Sequence, residues 1–359
     1  MSIQSFFRMS ACPPPSTAPP RTPGPRRPVV ILGPTAGGKS DLAAALAAQC
    51  NGPVLGADSM QVYRHLDAGT AKPPPTLRDR VPHYLIDIVE PTERFTVHDW
   101  LRRADRLIEQ TLADGQTPVI VGGTNLYLKA LLEGLFDGPG QDAAFRETLA
   151  GLPGDELHAR LQQIDPPAAA RIAPADRQRL TRALEVFHLT GRPISTLQKE
   201  WANTPPAAYR HAPVLLGLRW AVDDLNPRIN LRVKAMFYPE RVAPELARDV
   251  CIHGESLPDE VRRLVETGRL VPGTQAAEAL GYKQVLAATY PRAFPEAADP
   301  LIQNLGDAFE RTKILTRRFA KQQRTWLKRF RGVHWIDLPT TEKQAPLATA
   351  LANLHAPDR

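Results

Sequence analysis

Apolar positions along this chain fall into two textures. Short continuous runs occur at 29–32, 53–57, 83–88, 118–122, 213–220 and 333–338, the kind of run a strand buried on both faces shows in a parallel sheet. Between them, apolar residues recur at helical spacing, notably over 98–113 and 125–135. Strands alternating with helices predict an α/β fold with a parallel sheet. From 141 to 205 no strand pattern appears, and helical stretches are broken by Pro153, Pro166, Pro167 and Pro174, which predicts an all-helical insertion.

Composition sharpens both ends of this picture. The 359 residues contain 36 prolines, about twice the usual ~5%, and eight of them fall in the first 28 positions. Residues 1–28, which lack any acid, are expected to be a disordered Pro-rich tail. The expected organisation is a first part of the core at 29–140, the helical insertion at 141–205, core completion with basic C-terminal helices at 206–340, and a second tail at 341–359. Lys and Arg total 45 against 38 acids, a net charge of +7, which favours a polyanionic partner. The 21 residues from Arg311 to Arg331 carry nine of these cations and no acid. Phe319, Trp326 and Phe330 are interleaved there at the spacing of a helix core stripe, so their burial is expected. Three scattered cysteines, Cys12, Cys50 and Cys251, exclude a disulfide framework and point to a reducing, cytoplasmic setting. No apolar run reaches transmembrane length.

The first strand runs into Gly33-Pro-Thr-Ala-Gly-Gly-Lys-Ser40 and then an alanine-rich helix. This is G-x-x-x-x-G-K-[ST] in its confirming context, a loop whose N–H groups wrap a phosphate while Lys39 and a Mg²⁺ on Ser40 take the remaining charge. The chain therefore binds a di- or triphosphate. An ATPase reading lacks its Mg²⁺-holding aspartate, because the strand at 118–121 ends in Gly122-Gly123-Thr124; Asp87 is the only comparable acid. Asp58 closes the second strand, at the sheet end that faces the ligand crevice. It can act as a proton acceptor or cap the turn that follows, and position alone does not choose. A small-molecule kinase and an RNA-binding module are the rival readings.

Eight blocks in order resemble the tRNA dimethylallyltransferase family: the phosphate loop, Ala57-Asp-Ser-Met-Gln-Val-Tyr63, Gly69-Thr-Ala-Lys-Pro73, Pro82-His-Tyr-Leu-Ile-Asp87, Gly122-Gly-Thr-Asn-Leu-Tyr127, Gln178-Arg-Leu-Thr-Arg-Ala-Leu-Glu-Val186, Gly281-Tyr-Lys-Gln284 and Arg318-Phe-Ala-Lys-Gln-Gln-Arg-Thr-Trp326. The resemblance implies a P-loop NTPase-like core and transfer of a dimethylallyl group from its diphosphate to N6 of adenosine 37 in a tRNA anticodon loop, with Mg²⁺ and as a monomer. It implies Asp58 as general base and Thr124 at the reaction centre. It implies diphosphate contacts from Gly33, Thr35, Ala36, Gly37, Gly38, Lys39, Ser40 and Arg232. For tRNA it implies Asp58, Ser59, Met60, Gln61, Thr124, Arg146, Gln178, Arg179, Leu180, Thr181, Arg182, Glu278, Gly281, Tyr282 and Lys283. The chain departs from the family pattern at 237–256, where about twenty extra residues are expected to form a surface loop.

Overall fold

A computed structural model of the chain describes residues 26–135, 138–203, 208–250, 252–339 and 345–354. The expected N-terminal tail, as far as residue 25, lies outside the described residues, as do Cys12 and Cys251. The described chain divides into two compact units, one built from the segments on either side of 133–209 and one from Glu133–Tyr209 itself.

In the first unit, six strands form one sheet: β1 (Val29–Leu32), β2 (Val54–Gly56), β3 (His83–Tyr84), β4 (Val119–Val121), β5 (Val214–Trp220) and β6 (Val333–Leu338). Their order is β3-β2-β4-β1-β5-β6, and every neighbouring pair is parallel. β1, β2 and β4 hold almost nothing but buried apolar residues because helices cover both faces, which is why they read as unbroken apolar runs; the edge strand β3 is only partly covered. The 83–88 run is a strand only at His83–Tyr84. Leu85 and Asp87 take φ of 65° and 56°, a left-handed conformation that ends strand pairing, and the chain there turns toward the site instead.

Helices α1 (Lys39–Gln49), α2 (Pro75–Arg78) and α3 (Val97–Ala113) connect the first four strands, and α4 (Asn125–Glu133) follows β4. The second unit holds α5 (Ala143–Ala150), α6 (Gly154–Ile164), α7 (Pro166–Ala169), α8 (Arg177–Thr190) and α9 (Ile194–Asn203), with no strand among its described residues. Its prolines start helices rather than interrupt them: Pro153 precedes α6 and Pro166 opens α7, where a missing N–H costs nothing. Leu149, Leu157, Leu161, Leu180 and Leu184 form its core.

After β5 come α10 (Val222–Phe237), α11 (Pro244–Arg248), α12 (Leu257–Glu266), α13 (Tyr282–Thr289), α14 (Leu305–Leu327) and, beyond β6, α15 (Ala345–Leu354). Residues 345–354, expected as tail, belong to the core: Ala350 is buried, and Leu347, Leu351 and Leu354 pack on the same cluster as β1, β5 and α1. The segment 237–256 is likewise more than a surface loop. Val250 and Ile252 are buried, and His253 Nε2 meets the Lys72 carbonyl oxygen at 3.0 Å.

The aromatic stripe expected along 319–330 is a correction. The buried face of α14 is Ala308, Thr312, Thr316, Ala320, Gln323 and Leu327, small and polar residues that allow close approach. Phe319 falls one position off this face and is 38% exposed, Trp326 is half-buried, and only Phe330, beyond the helix end, is buried.

Candidate active site

The phosphate loop lies between β1 and α1, at the carboxyl end of the sheet. Its shape is held by backbone constraint. Ala36 has φ 58° and Gly38, which precedes α1, has φ 81°, so the loop is left-handed at two alternate residues and at the second of them glycine supplies the freedom. Two side chains that stack on each other fix the loop from outside. Trp220 Nε1 donates to the Gly37 carbonyl (3.1 Å), Arg228 Nε donates to the Ala36 carbonyl (3.0 Å), and the Arg228 guanidinium stacks over the Trp220 ring at 5.1 Å. The Ala36 and Gly37 carbonyls are thus tied outward, while Gly37 N–H bonds the Pro34 carbonyl and Thr35 N–H bonds the Gln323 side chain; a loop wound this way is the kind of backbone concavity that takes an anion. Lys39 Nζ donates to the Pro34 carbonyl at 2.7 Å. Arg232 reaches the pocket and donates to Thr35 Oγ1 at 3.0 Å. The two arginines of Arg228-Ile-Asn-Leu-Arg232 thus divide the work: Arg228 braces the backbone and Arg232 faces the ligand space. Sequence reasoning singled out only the second.

Beside Ser40, burial pushes the Asp41 carboxyl up to about 6, opposed by Arg228, raised further by Asp249 and opposed by Arg232.

Asp58 follows β2, across the pocket from the loop, and Ser40, Arg232 and Phe319 share the same pocket. Its Oδ1 accepts from the backbone N–H of Met60 (2.9 Å) and Gln61 (3.3 Å), so the capping role is real. Its Oδ2 has no hydrogen-bond partner among the described residues. One oxygen fixes the carboxylate and the other remains available, so the two readings of Asp58 are compatible.

The Gly122-Gly123 turn brings Thr124 to the same place. Thr124 Oγ1 accepts from Ser59 N–H at 2.9 Å and donates to Ser59 Oγ at 3.2 Å, while its carbonyl accepts the first bonds of α4. The side chain therefore clamps the Asp58-Ser59 turn rather than capping its own helix. The clamp needs glycine at 122, because a Cβ there would lie 2.0 Å from the Ala57 carbonyl oxygen. Gly122→Ala is expected to lose about 3 kcal/mol of stability, the upper end for an ordinary substitution, since the obstacle is backbone. Urea denaturation checks this; an unchanged midpoint would mean the two chain segments can separate freely.

Gln61 Nε2 donates to the Thr70 and Ala71 carbonyls, joining Asp58's turn to the 69–73 block. Asp87 ties to the same block through Lys72. Its Oδ1 pairs with the fully buried Lys72 Nζ (2.5 Å) and its Oδ2 with Arg78 (2.7 Å), so both oxygens are occupied in holding this wall. Behind it, Glu260 of α12 accepts from Asp67 and Ala68 N–H and from the Tyr282 hydroxyl. Burial nevertheless pushes Glu260 up from 4.5 to about 7. A carboxyl whose folded value exceeds its unfolded one keeps its proton longer when folded, so its contribution is full below about 4.5 and is lost as pH rises through 7. The urea midpoint of the unaltered chain is expected to fall relative to that of Glu260→Gln across this window; parallel midpoints would contradict the burial effect.

Several expected RNA contacts are structural. Leu180 is fully buried in the helical unit's core, and Tyr282 is fully buried with its ring against Gly69, where a Cβ would lie 2.2 Å away; Gly281 is buried beside it. Neither side chain at 180 or 282 can touch RNA without unfolding its surroundings. Arg146 and Arg182 both bind the buried Glu185 carboxylate, Arg146 at 2.6 and 2.8 Å and Arg182 at 2.6 Å. Burial would raise Glu185, but these arginines hold it down at about 2. Gln178 and Arg179 are exposed on the same helix, Thr181 is half-buried, and Lys283 pairs with the exposed Glu278 at 2.7 Å.

Fold and site together define an enzyme of the P-loop α/β class with a helical insertion. A sequence profile for IPP transferase matches residues 61–330, and one for isopentenyl transferase matches residues 27–88. A tRNA dimethylallyltransferase of Geobacter sulfurreducens is 42% identical over 317 residues, covering 87% of this chain and 92% of that protein. The crystal structure of the full-length tRNA isopentenylpyrophosphate transferase from Bacillus halodurans superposes with a TM-score of 0.60 at 32% identity, covering 92% of this chain and 97% of that one. A eukaryotic dimethylallyltransferase, crystallised acting on tRNA, shares the fold with a TM-score of 0.68 at 24% identity, over 91% of this chain and 77% of that one. The chain belongs to the IPP transferase family, prenyltransferases that move a dimethylallyl group to tRNA. That membership removes the kinase and passive RNA-binding readings. No helix among the described residues is long and apolar enough to cross a membrane.

Proposed function

We propose that the chain transfers the dimethylallyl group of dimethylallyl diphosphate to N6 of adenosine 37, next to the anticodon of tRNAs reading codons that begin with U, forming N6-(dimethylallyl)adenosine. The observation that carries the reading is the Asp58 carboxylate, fixed through Oδ1 and open at Oδ2, across one pocket from the phosphate loop. N6 attacks the allylic carbon of the prenyl group, the bond from that carbon to oxygen breaks, and its electron pair leaves with the diphosphate. Asp58 Oδ2 takes the N6 proton, which an aromatic amine must shed as the new C–N bond forms. The N–H groups of Ala36 to Ser40, with Lys39 and Arg232, hold the charge that builds on the leaving group.

Among the described residues there is no cluster of three metal-ligating side chains, and Ser40 and Asp58 both line the pocket. That sparse donor set fits a Mg²⁺ bound chiefly through substrate phosphates and water. Ser40 would hold it, and it would neutralise diphosphate charge.

An anticodon-loop base is already partly unstacked, so withdrawing it into the pocket costs a few kcal/mol. Asp58, Ser59, Met60, Gln61 and Thr124 are the residues proposed to meet it. Gln178, Arg179, Thr181, Glu278 and Lys283 are proposed to meet the loop, with backbone contact along Arg317, Arg318 and Lys321. Arg146 and Arg182 contribute mainly by holding α8 in place. The enzyme is proposed to act as a cytoplasmic monomer.

Incubation with labelled dimethylallyl diphosphate, Mg²⁺ and unmodified tRNA, without ATP, is expected to label adenosine 37. Labelling that requires ATP, or that falls on another nucleoside, would overturn the proposal.

A further inference from the structure

Gln323 is a buried amide that nothing in the reaction above uses. It sits on α14, 1% exposed, and joins two loops far from it in sequence. Its Oε1 accepts the Thr35 N–H of the phosphate loop at 2.8 Å, and its Nε2 donates to the Gly123 carbonyl at 2.8 Å. A Cβ at Gly123 would fall 2.6 Å from that nitrogen, so the glycine leaves room for the amide. One turn earlier Phe319 lines the same pocket.

We infer that Gln323 is a positioning residue for prenyl transfer: it sets the separation between the loop that holds the leaving diphosphate and the Gly122–Thr124 turn that holds Asp58's segment. The connection is continuous. Gly123 is followed by Thr124, whose hydroxyl fixes Ser59, the neighbour of Asp58. A neutral carboxamide suits the place because one partner is a donor and the other an acceptor. An ionised carboxylate satisfies only the first, opposes the Gly123 carbonyl, and brings negative charge to an anion-binding loop. A protonated carboxyl satisfies both. Because reaction requires the prenyl carbon and N6 in near-attack geometry, a shift of about 1 Å between these loops can cost about 100-fold.

The inference rests on the proposed reading of the pocket, and the unaltered chain, assayed alongside, keeps the two apart. If it transfers no dimethylallyl group to tRNA, the reading of the pocket fails. If it does, Gln323→Leu is expected to lower kcat about 10- to 100-fold, with KM for tRNA within about threefold. Gln323→Glu is expected to be poor at pH 8 and to regain activity relative to the unaltered chain as pH falls and the carboxyl protonates. A Gln323→Leu enzyme within twofold of the original kcat overturns the inference, as does a Gln323→Glu ratio that does not change with pH. Should Gln323→Leu fail to fold, the pH dependence of Gln323→Glu decides alone.

Discussion

Replacing Asp58 by Asn is expected to remove the chemical step and leave tRNA affinity intact. The Asn side chain keeps an oxygen where Oδ1 accepts from Met60 and Gln61 N–H, so the turn and the base pocket survive. It loses the group that takes the N6 proton, an effect of about 10²- to 10⁴-fold for general-base catalysis. Single-turnover transfer and a tRNA binding titration, run on one preparation, separate the two. Equal loss of binding and rate would mean that Asp58 shapes the pocket and moves no proton. Asp58→Ala is the harsher comparison, because it also releases Met60 and Gln61 and should weaken base binding.

Lys39→Met carries the second largest effect. Lys39 opens α1 at the mouth of the phosphate loop, and its ammonium lies across the loop on the Pro34 carbonyl. A diphosphate would draw that ammonium to itself, and charge on the leaving oxygen grows toward the transition state. Losing one such donor costs about 10²- to 10³-fold in kcat, with a weaker hold on the ground-state diphosphate in addition. Methionine preserves the stem's packing, so the folded chain should persist and its tRNA affinity should not change. Inhibition by inorganic diphosphate offers a direct reading of the site without turnover. Unchanged inhibition and unchanged rate would place the diphosphate elsewhere.

The pair also discriminates between parts of the site. Asp58→Asn should leave diphosphate inhibition as it was, whereas Lys39→Met should weaken it.

Much of this chain was legible before any coordinates. The inner strands of the sheet read as continuous apolar runs because helices bury both their faces, and the phosphate loop because its glycines answer to local backbone geometry. Asp58 could be located because a residue just after a parallel strand lies at the sheet's ligand-binding end. The lack of a strand pattern over 141–205 pointed to helices there, and α5 to α9 occupy that stretch. What sequence left open was decided by contacts between residues far apart in the chain. That Asp58 caps its turn through one oxygen and keeps the other open depended on which backbone N–H groups the fold brings to it. The pairing of Asp87 with Lys72 and Arg78 and the burial of the Leu180 and Tyr282 side chains appeared only with packing. Phe319 went to the pocket because α14 packs through its small residues. Gln323 met Thr35 only through folding, since they stand 288 positions apart. Periodicity says which face of a helix is buried; the partner that face meets, and therefore which polar groups remain free for chemistry, is fixed only when the elements pack.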